Sequence, residues 1–222
     1  MNVTVIIPCG GTHSKMVSDA VQSCLKVEVP VIVIDDISIP PVRLGTSPLV
    51  SLHRLPVHRG RSYARNFGAK LAETEWLYFL DSDDMIEPTA IEDFRAVADS
   101  CDISYADYDY VDAAGERVRV EKHPYSYSLT SQKNLVNIGM FVRRDRFEKI
   151  GGFDEDMQFG EYWDFFLRHT ANPKIRVHKN ARPYFVARPA SVNPDAQRLL
   201  QNGSLKIQAM IRGGYYREWR TV

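Results

Sequence analysis

The run Phe79 to Met85 reads FLDSDDM, an apolar stretch that ends in Asp81, Asp83 and Asp84, three acids within four positions. Carboxylates so close repel one another, and the arrangement is tolerable only where water solvates them or a cation neutralises them. A hard divalent cation is the natural partner of such a set, because it takes oxygen ligands and can also hold the oxygens of a phosphate. Asp83 and Asp84 would equally suit a plain turn ahead of Pro88, since Asp is common in turns and caps. A short acidic motif recurs by chance, so its surroundings have to decide.

Other groups with chemistry to offer are spread along the chain. A second apolar run ends in acids at Ile34-Asp35-Asp36, and HRGRSYARN carries Arg59, Arg61 and Arg65 within seven positions. Arginines at a helix start suit phosphate, although a helical arginine can equally be solvated. Glu161 and Asp164 stand three apart, so both can face the same side of a helix, where either could take a proton from a hydroxyl. Their plainer uses are a first-turn acid favoured by the helix dipole and an Asp164–Arg168 pair along the helix. His13, His58, His123, His169 and His178 are scattered singly and read as surface or core positions.

The elements that must position these groups follow from patterning. Val3–Pro8 and Val29–Asp36 are short β-branched runs without alternation, the pattern of strands buried on both faces. Between them Ser14–Lys26 has apolar residues at helical spacing. A third strand is expected near Leu49–Leu55, a helix over Arg61–Ala72, a strand over Glu75–Leu80, and a helix opened by Pro88 and running to Ser100. Strands alternating with helices imply a mostly parallel sheet covered on both faces, an α/β fold. Asp102–Val111 and Glu116–Glu121 flank a turn at Asp112–Gly115, so antiparallel pairing is expected there. Beyond it lie a strand over Ile138–Arg143, a short helix stopped by Gly151-Gly152, a helix over Gly160–Thr170, and an amphipathic helix over Asp195–Arg212.

At 222 residues, with 44% hydrophobic and 25% charged positions, the chain suits one domain, 1–222. Lys+Arg and Asp+Glu are equal at 28 each, so no overall field favours nucleic acid or an anionic membrane. Cys9, Cys24 and Cys101 are odd in number and lack C-x-x-C spacing, which argues against a disulfide framework or a zinc site and for a reducing, cytoplasmic setting. No stretch approaches the roughly 18 apolar residues of a membrane span.

The order VTVIIP, VIVIDD, ARNFG at Ala64–Gly68, FLDSDD, and GGFDE at Gly151–Glu155 resembles the family 2 glycosyltransferases of the GT-A fold, over about residues 3 to 191. The resemblance implies a divalent metal, Mn²⁺ or Mg²⁺, held by Asp81 and Asp83 on the diphosphate of a nucleotide sugar. It places Pro8, Cys9, Gly10, Asp36, Arg65, Asp81, Ser82 and Arg188 on that nucleotide sugar, with Asp36 near the base or ribose. Residues 1–112 would bind the donor, 113–192 would serve the acceptor and the chemistry, and 193–222 would form a C-terminal helix and tail.

Three departures from the family's pattern follow. The E-D pair that usually carries the base reads Glu161-Tyr162, which leaves Glu161 as first choice for base and Asp164 as second, with Tyr162 and Trp163 facing the acceptor. The closing segment YRxHxxS reads FVARPAS, so Arg188 stands where a metal-reaching His would be and could clamp phosphate. The aromatic-containing turn after the first strand is replaced by Cys9-Gly10-Gly11-Thr12. The expected activity is transfer of a hexose, from a UDP-sugar, to a hydroxyl on a glycan, lipid carrier, protein or modified nucleobase, with inversion. Two rivals are a binding module for nucleotide sugars or glycans with little turnover, and a sugar nucleotidylyltransferase, which the glycine-rich PCGGTHSKM faintly echoes.

Overall fold

The computed structural model describes residues 2–112, 114–157, 159–188 and 196–221. Its first half is built from β1 (Val3–Gly10), α1 (Val17–Lys26), β2 (Val31–Asp36), β3 (Val50–Arg54), α2 (Arg61–Leu71), β4 (Trp76–Phe79), β5 (Met85–Ile86) and α3 (Ala90–Arg95). The second half adds β6 (Ile103–Ala106), β7 (Tyr108–Val111), β8 (Arg117–Val120), α4 (Tyr127–Thr130), β9 (Met140–Arg143), α5 (Arg144–Lys149), α6 (Glu161–Thr170), β10 (Val177–Asn180), β11 (Phe185–Ala187) and α7 (Ala196–Arg212).

Seven strands form the main sheet in the order β10-β6-β9-β4-β1-β2-β3. β1 to β4 run parallel, while β9 lies antiparallel between β4 and β6. Because side chains alternate across a strand, the apolar runs serve two cores at once. Val5, Ile7, Val31, Val33, Trp76 and Tyr78 face one side, where they pack with Val17, Ala20, Val21 and Cys24 of α1. Ile6, Ile32, Ile34, Leu77 and Phe79 face the other, against Ala64 and Ala69 of α2, Phe147 of α5, and Phe165 and Phe166 of α6. Burial on both faces explains why these strands read as unbroken apolar runs.

Gly68 in ARNFG lets α2 lie close on β1, since a Cβ there would come within 2.6 Å of the Ile6 side chain. The expected helix over Ser14–Lys26 begins with a separate 3₁₀ turn, His13–Lys15, before α1 starts at Val17. The expected Pro88–Ser100 helix also splits, into α3 and a 3₁₀ turn at Ala98–Ser100 whose i→i+3 bonds tighten its end.

A four-stranded second sheet, β5-β11-β7-β8, contains the expected hairpin as the antiparallel β7–β8 pair. Only Asp107 separates β6 in the main sheet from β7 in the small one. The small sheet also begins where the acids end, because β5 follows Asp84 directly and pairs antiparallel with β11. The expected start of the last helix at Asp195, and Pro189–Ser191 of the closing segment, lie outside the described residues.

Candidate active site

Register brings three strand ends together. Pro8, Cys9 and Gly10 pair with Ile34, Asp35 and Asp36, and Ile6 pairs with Phe79, so the chain leaves β4 toward Asp81 beside the ends of β1 and β2. Ligands of parallel sheets gather at this edge. There the Asp84 N–H donates to the Asp81 carbonyl at 3.0 Å, a turn that folds the acids onto one another. One carboxylate oxygen from each of Asp81, Asp83 and Asp84 lies within 4.8 Å of the others.

Burial, and then repulsion from Asp81, hold the Asp83 carboxyl above its ordinary pKa. Burial pushes Asp84 well above it, with Asp81 and Asp83 adding to the effect. The cluster therefore resists full ionisation by itself, and three carboxylates at this spacing form an oxygen donor set that a hard divalent cation would relieve. Asp84 was not singled out as a ligand from the sequence; its place as the next residue after D-S-D was the available signal.

Arg65 connects this cluster to α6. Its guanidinium is 1% exposed and forks two carboxylates, Nη1 donating to Glu161 Oε1 and Nη2 to Asp81 Oδ1, each at 2.7 Å. Burial alone would lower the Arg65 pKa; Asp81 and Glu161 outweigh it and raise it. Glu161 Oε2 is buried and has no hydrogen-bond partner among the described residues. Next to Arg65, Asn66 donates to the Phe153 carbonyl at 2.9 Å and to Glu155 at 3.0 Å, and its own oxygen accepts from the Phe153 N–H at 2.9 Å. Gly152 sits at φ +69°, and a Cβ there would lie 2.5 Å from the Asn66 oxygen. ARNFG and GGFDE are thus two halves of one joint that sets α6 against the strand ends.

The four residues opening α6 have different surroundings. Glu161 is fully buried on Arg65. Tyr162 is half-buried, and burial, with Glu161 and Asp81 adding to it, pushes its hydroxyl up to about 12, so it is neutral at physiological pH. Trp163, expected to face the acceptor, instead packs with Met157, Leu167, Ile207 and Tyr216, and its indole N–H donates to the Thr130 carbonyl at 2.8 Å. The face of α6 carrying Trp163 is covered by α7 and the C-terminal turn. Asp164 is also fully buried: Arg168 donates to one oxygen at 2.8 Å and the Tyr216 hydroxyl to the other at 2.9 Å. The structure thus places Asp164 in the Arg168 pair, away from the Asp81 cluster, and brings Glu161 to it.

Residues expected on the nucleotide sugar divide similarly. Cys9 is buried beside Ser82, and burial pushes its thiol up to about 11. Asp36 lies at the end of β2, where its carboxylate accepts from the Arg59 and Gly60 N–H groups at 2.7 and 2.8 Å and shapes the entry to α2. Its neighbour Asp35 does comparable work for the following loop, accepting from Ser38, Val42 and Arg54. Arg188, expected to clamp phosphate, donates through Nε to the Asp83 carbonyl at 2.7 Å, through Nη1 to Asp19 at 2.6 Å and through Nη2 to the Met16 carbonyl at 3.2 Å. It braces the acid loop against the start of α1. His13, read from the sequence as a surface or core position, is partly exposed with its Nδ1 4.0 Å from Asp83 Oδ2.

The model of the family described as "Glycosyl transferase family 2" matches residues 4–160, well over half of the chain. The chain belongs to glycosyl transferase family 2. A family 2 assignment leaves the nucleotidylyltransferase alternative without support. Among curated relatives, the protein is 26% identical over 135 residues to the uncharacterized glycosyltransferase YwdF of Bacillus subtilis, covering 57% of this chain and 50% of the relative. It is 28% identical over 181 residues to an uncharacterized glycosyltransferase of Haemophilus influenzae, covering 74% of this chain and 61% of the relative. The chain thus spans between half and about three fifths of the length of these relatives.

Among solved structures, S. aureus TarS superposes with a TM-score of 0.69 at 20% identity, over 95% of this chain and 40% of that one. TarS 1-349 in complex with UDP-GlcNAc gives a TM-score of 0.65 at 19% identity, over 93% of this chain and 66% of that one. At such identity the likeness establishes the shared α/β fold. Among the described residues, no helix is long and apolar enough to cross a membrane.

Proposed function

We propose that this family 2 chain transfers a sugar from a nucleoside-diphosphate donor to an acceptor hydroxyl, with inversion. Its acids would hold a divalent cation, Mn²⁺ or Mg²⁺. The observation that carries the proposal is the meeting of Asp81, Asp83 and Asp84 at the carboxyl edge of the sheet, joined through Arg65 to Glu161. When bound, the cation would neutralise the diphosphate and stabilise the charge of the departing nucleotide. UDP as the nucleotide, and a hexose as the sugar, are supported by the complex of TarS with UDP-GlcNAc. Pro8, Cys9, Gly10, Ser82 and Asp36 would form the floor under the nucleotide.

Residues of the donor half, 1–112, and of the following half, 113–192, would then share one task. Arg65 holds Glu161 fixed relative to Asp81. The unpartnered Glu161 Oε2 is the acceptor for the hydroxyl proton, reached when acceptor binding shifts the side chains over it. Asp164 serves the stability of α6. The acceptor would be a glycan, lipid carrier, protein or modified nucleobase. Three free, buried cysteines support a reducing, cytoplasmic setting.

A second reading, a nucleotide-sugar binder with little transfer, is favoured by one observation: the usual acid is replaced by Tyr162, while Glu161 is fully buried. Incubation with a panel of nucleotide sugars and Mn²⁺ separates the two. Release of nucleoside diphosphate, even by slow donor hydrolysis, supports the transferase. Donor binding without release supports the second reading, and absence of binding across the panel contradicts both.

A further inference from the structure

α6 begins without a side-chain cap: Glu161 follows Gly160, whose backbone is left-handed at φ +80°. The direction in which the helix leaves is therefore set by what grips the turn before it. From one side α2 holds that turn. The Ser62 hydroxyl donates to the Met157 carbonyl at 3.3 Å, and the Arg61 guanidinium lies 4.8 Å from the centre of the Phe159 ring. Arg61 and Ser62 stand about one helical turn before Arg65, which bonds Glu161. From the other side comes α7. A Cβ on Gly203 would lie 2.6 Å from the Phe159 carbonyl oxygen and 3.0 Å from its carbon, while a Cβ on Gly160 would lie 3.0 Å from Ile207 Cδ1 and 3.8 Å from the Gly203 backbone. Two glycines thus face each other where α7 crosses the turn. Glycine inside a helix destabilises it relative to alanine, so its presence at position 203 has a packing reason. The obstacle is backbone, which no change of rotamer relieves. One turn further along α7, Ile207 is fully buried with Trp163 and Leu167 of α6, and beyond it the Tyr216 hydroxyl bonds Asp164.

We propose that Gly203 is a positioning residue: the close crossing of α7 fixes the depth at which α6 starts, and so holds Glu161 against Arg65 and Asp81. The inference rests on the reading of Glu161 as the base. Its consequence is that the C-terminal helix bears on turnover through Glu161. Ordinary contact begins near 3.4 Å, so a methyl group at position 203 has to drive α7 and the turn apart by most of an ångström. A misplacement of about 1 Å at a reacting group can cost about 10²-fold in rate.

The test compares the full chain with Gly203→Ala, Ile207→Val and, as a control on helix propensity, Ser204→Ala at an exposed position of α7. Crystal structures give the Glu161–Arg65 separation, and UDP release from UDP-GlcNAc with Mn²⁺, corrected for the folded fraction, gives kcat and KM. Gly203→Ala should lengthen the 2.7 Å Glu161–Arg65 bond and lower kcat by about 10²-fold, with KM and UDP affinity at the parent's values. Ile207→Val trims the atom that faces Gly160, tests the same contact should Gly203→Ala not fold, and should lower kcat by less. Ser204→Ala should leave kcat unchanged. A loss accounted for by the folded fraction alone, or a bond of the parent's length in both contact variants, overturns the role of Gly203. A lengthened bond with unchanged kcat overturns it as well, because Glu161 is then not the base. A parent that releases no UDP counts against the transferase reading itself, and the bond length in the variants still decides whether Gly203 sets Glu161.

Discussion

Two groups of buried or half-buried acids in this chain are handled in opposite ways. Asp164 on α6 has a partner for each oxygen, Arg168 and Tyr216, and Arg168 spends its other nitrogens on the Ile150 and Gly152 carbonyls. At the ends of the parallel strands, Asp81 alone of the three clustered acids bonds Arg65, and Asp83 and Asp84 are held above their ordinary pKa values. A fully paired acid fastens one element to another. A crowded set at an open edge keeps capacity for an external positive charge, which is what a site for a cation and a diphosphate requires.

Removing one side of the finished pair should have the largest effect. Asp164→Asn leaves the Arg168 guanidinium buried without its counter-charge and should cost about 3–5 kcal/mol of stability, read from the denaturant midpoint. Full stability combined with lost turnover in that variant would instead make Asp164 the base and erase the contrast.

Next in size is a pH effect on the fully buried His169, whose ring nitrogens have no hydrogen-bond partners among the described residues. Burial lowers its pKa from 6.5 to about 4, with Asp102 and Asp145 opposing and Arg146 and Arg168 adding to the shift. The unfolded chain then binds the proton more readily than the folded one. Stability is complete above pH 6.5 and falls as pH drops toward about 4, by about 3 kcal/mol for this group. Asp83 and Asp84 act with the opposite sign, because raised carboxyl pKa values favour the folded state as pH falls. His169→Phe should flatten the acid decline, and Asp84→Asn should steepen it while stabilising the metal-free protein at neutral pH. Unfolding curves collected from pH 4 to 8 check both, and identical slopes in all three proteins would contradict these assignments.

Much of this division was legible before the fold was known. Unbroken β-branched runs marked β1 and β2 because both faces of those strands are buried, and Asp81 and Asp83 stood out because consecutive residues at a strand end need no tertiary information. The expected mostly parallel α/β sheet is the one observed. The Arg65–Glu161 bond could not be read, since it joins positions 96 apart through the Asn66–Phe153 joint. Nor could the insertion of β9 between β4 and β6, which depends on pairing rather than local pattern. Trp163 was misplaced for a related reason: helical spacing says which residues share a face, but not that α7 and the C-terminal turn cover it.

The smallest effect addresses that face. Trp163→Phe keeps most of the packing and loses the indole bond to Thr130, so it should cost about 1 kcal/mol while donor and acceptor affinities stay unchanged. A selective rise in acceptor KM at unchanged stability would return Trp163 to the acceptor.

The most direct test of the central claim is calorimetric titration of UDP into the parent chain and into Asp83→Asn, each with Mn²⁺ and with chelator. UDP should bind the parent only when Mn²⁺ is present, and should bind Asp83→Asn weakly or not at all while that variant unfolds at the parent's temperature or above. Equal UDP affinity in all four titrations would mean that the acids at the end of β4 form a turn and nothing more.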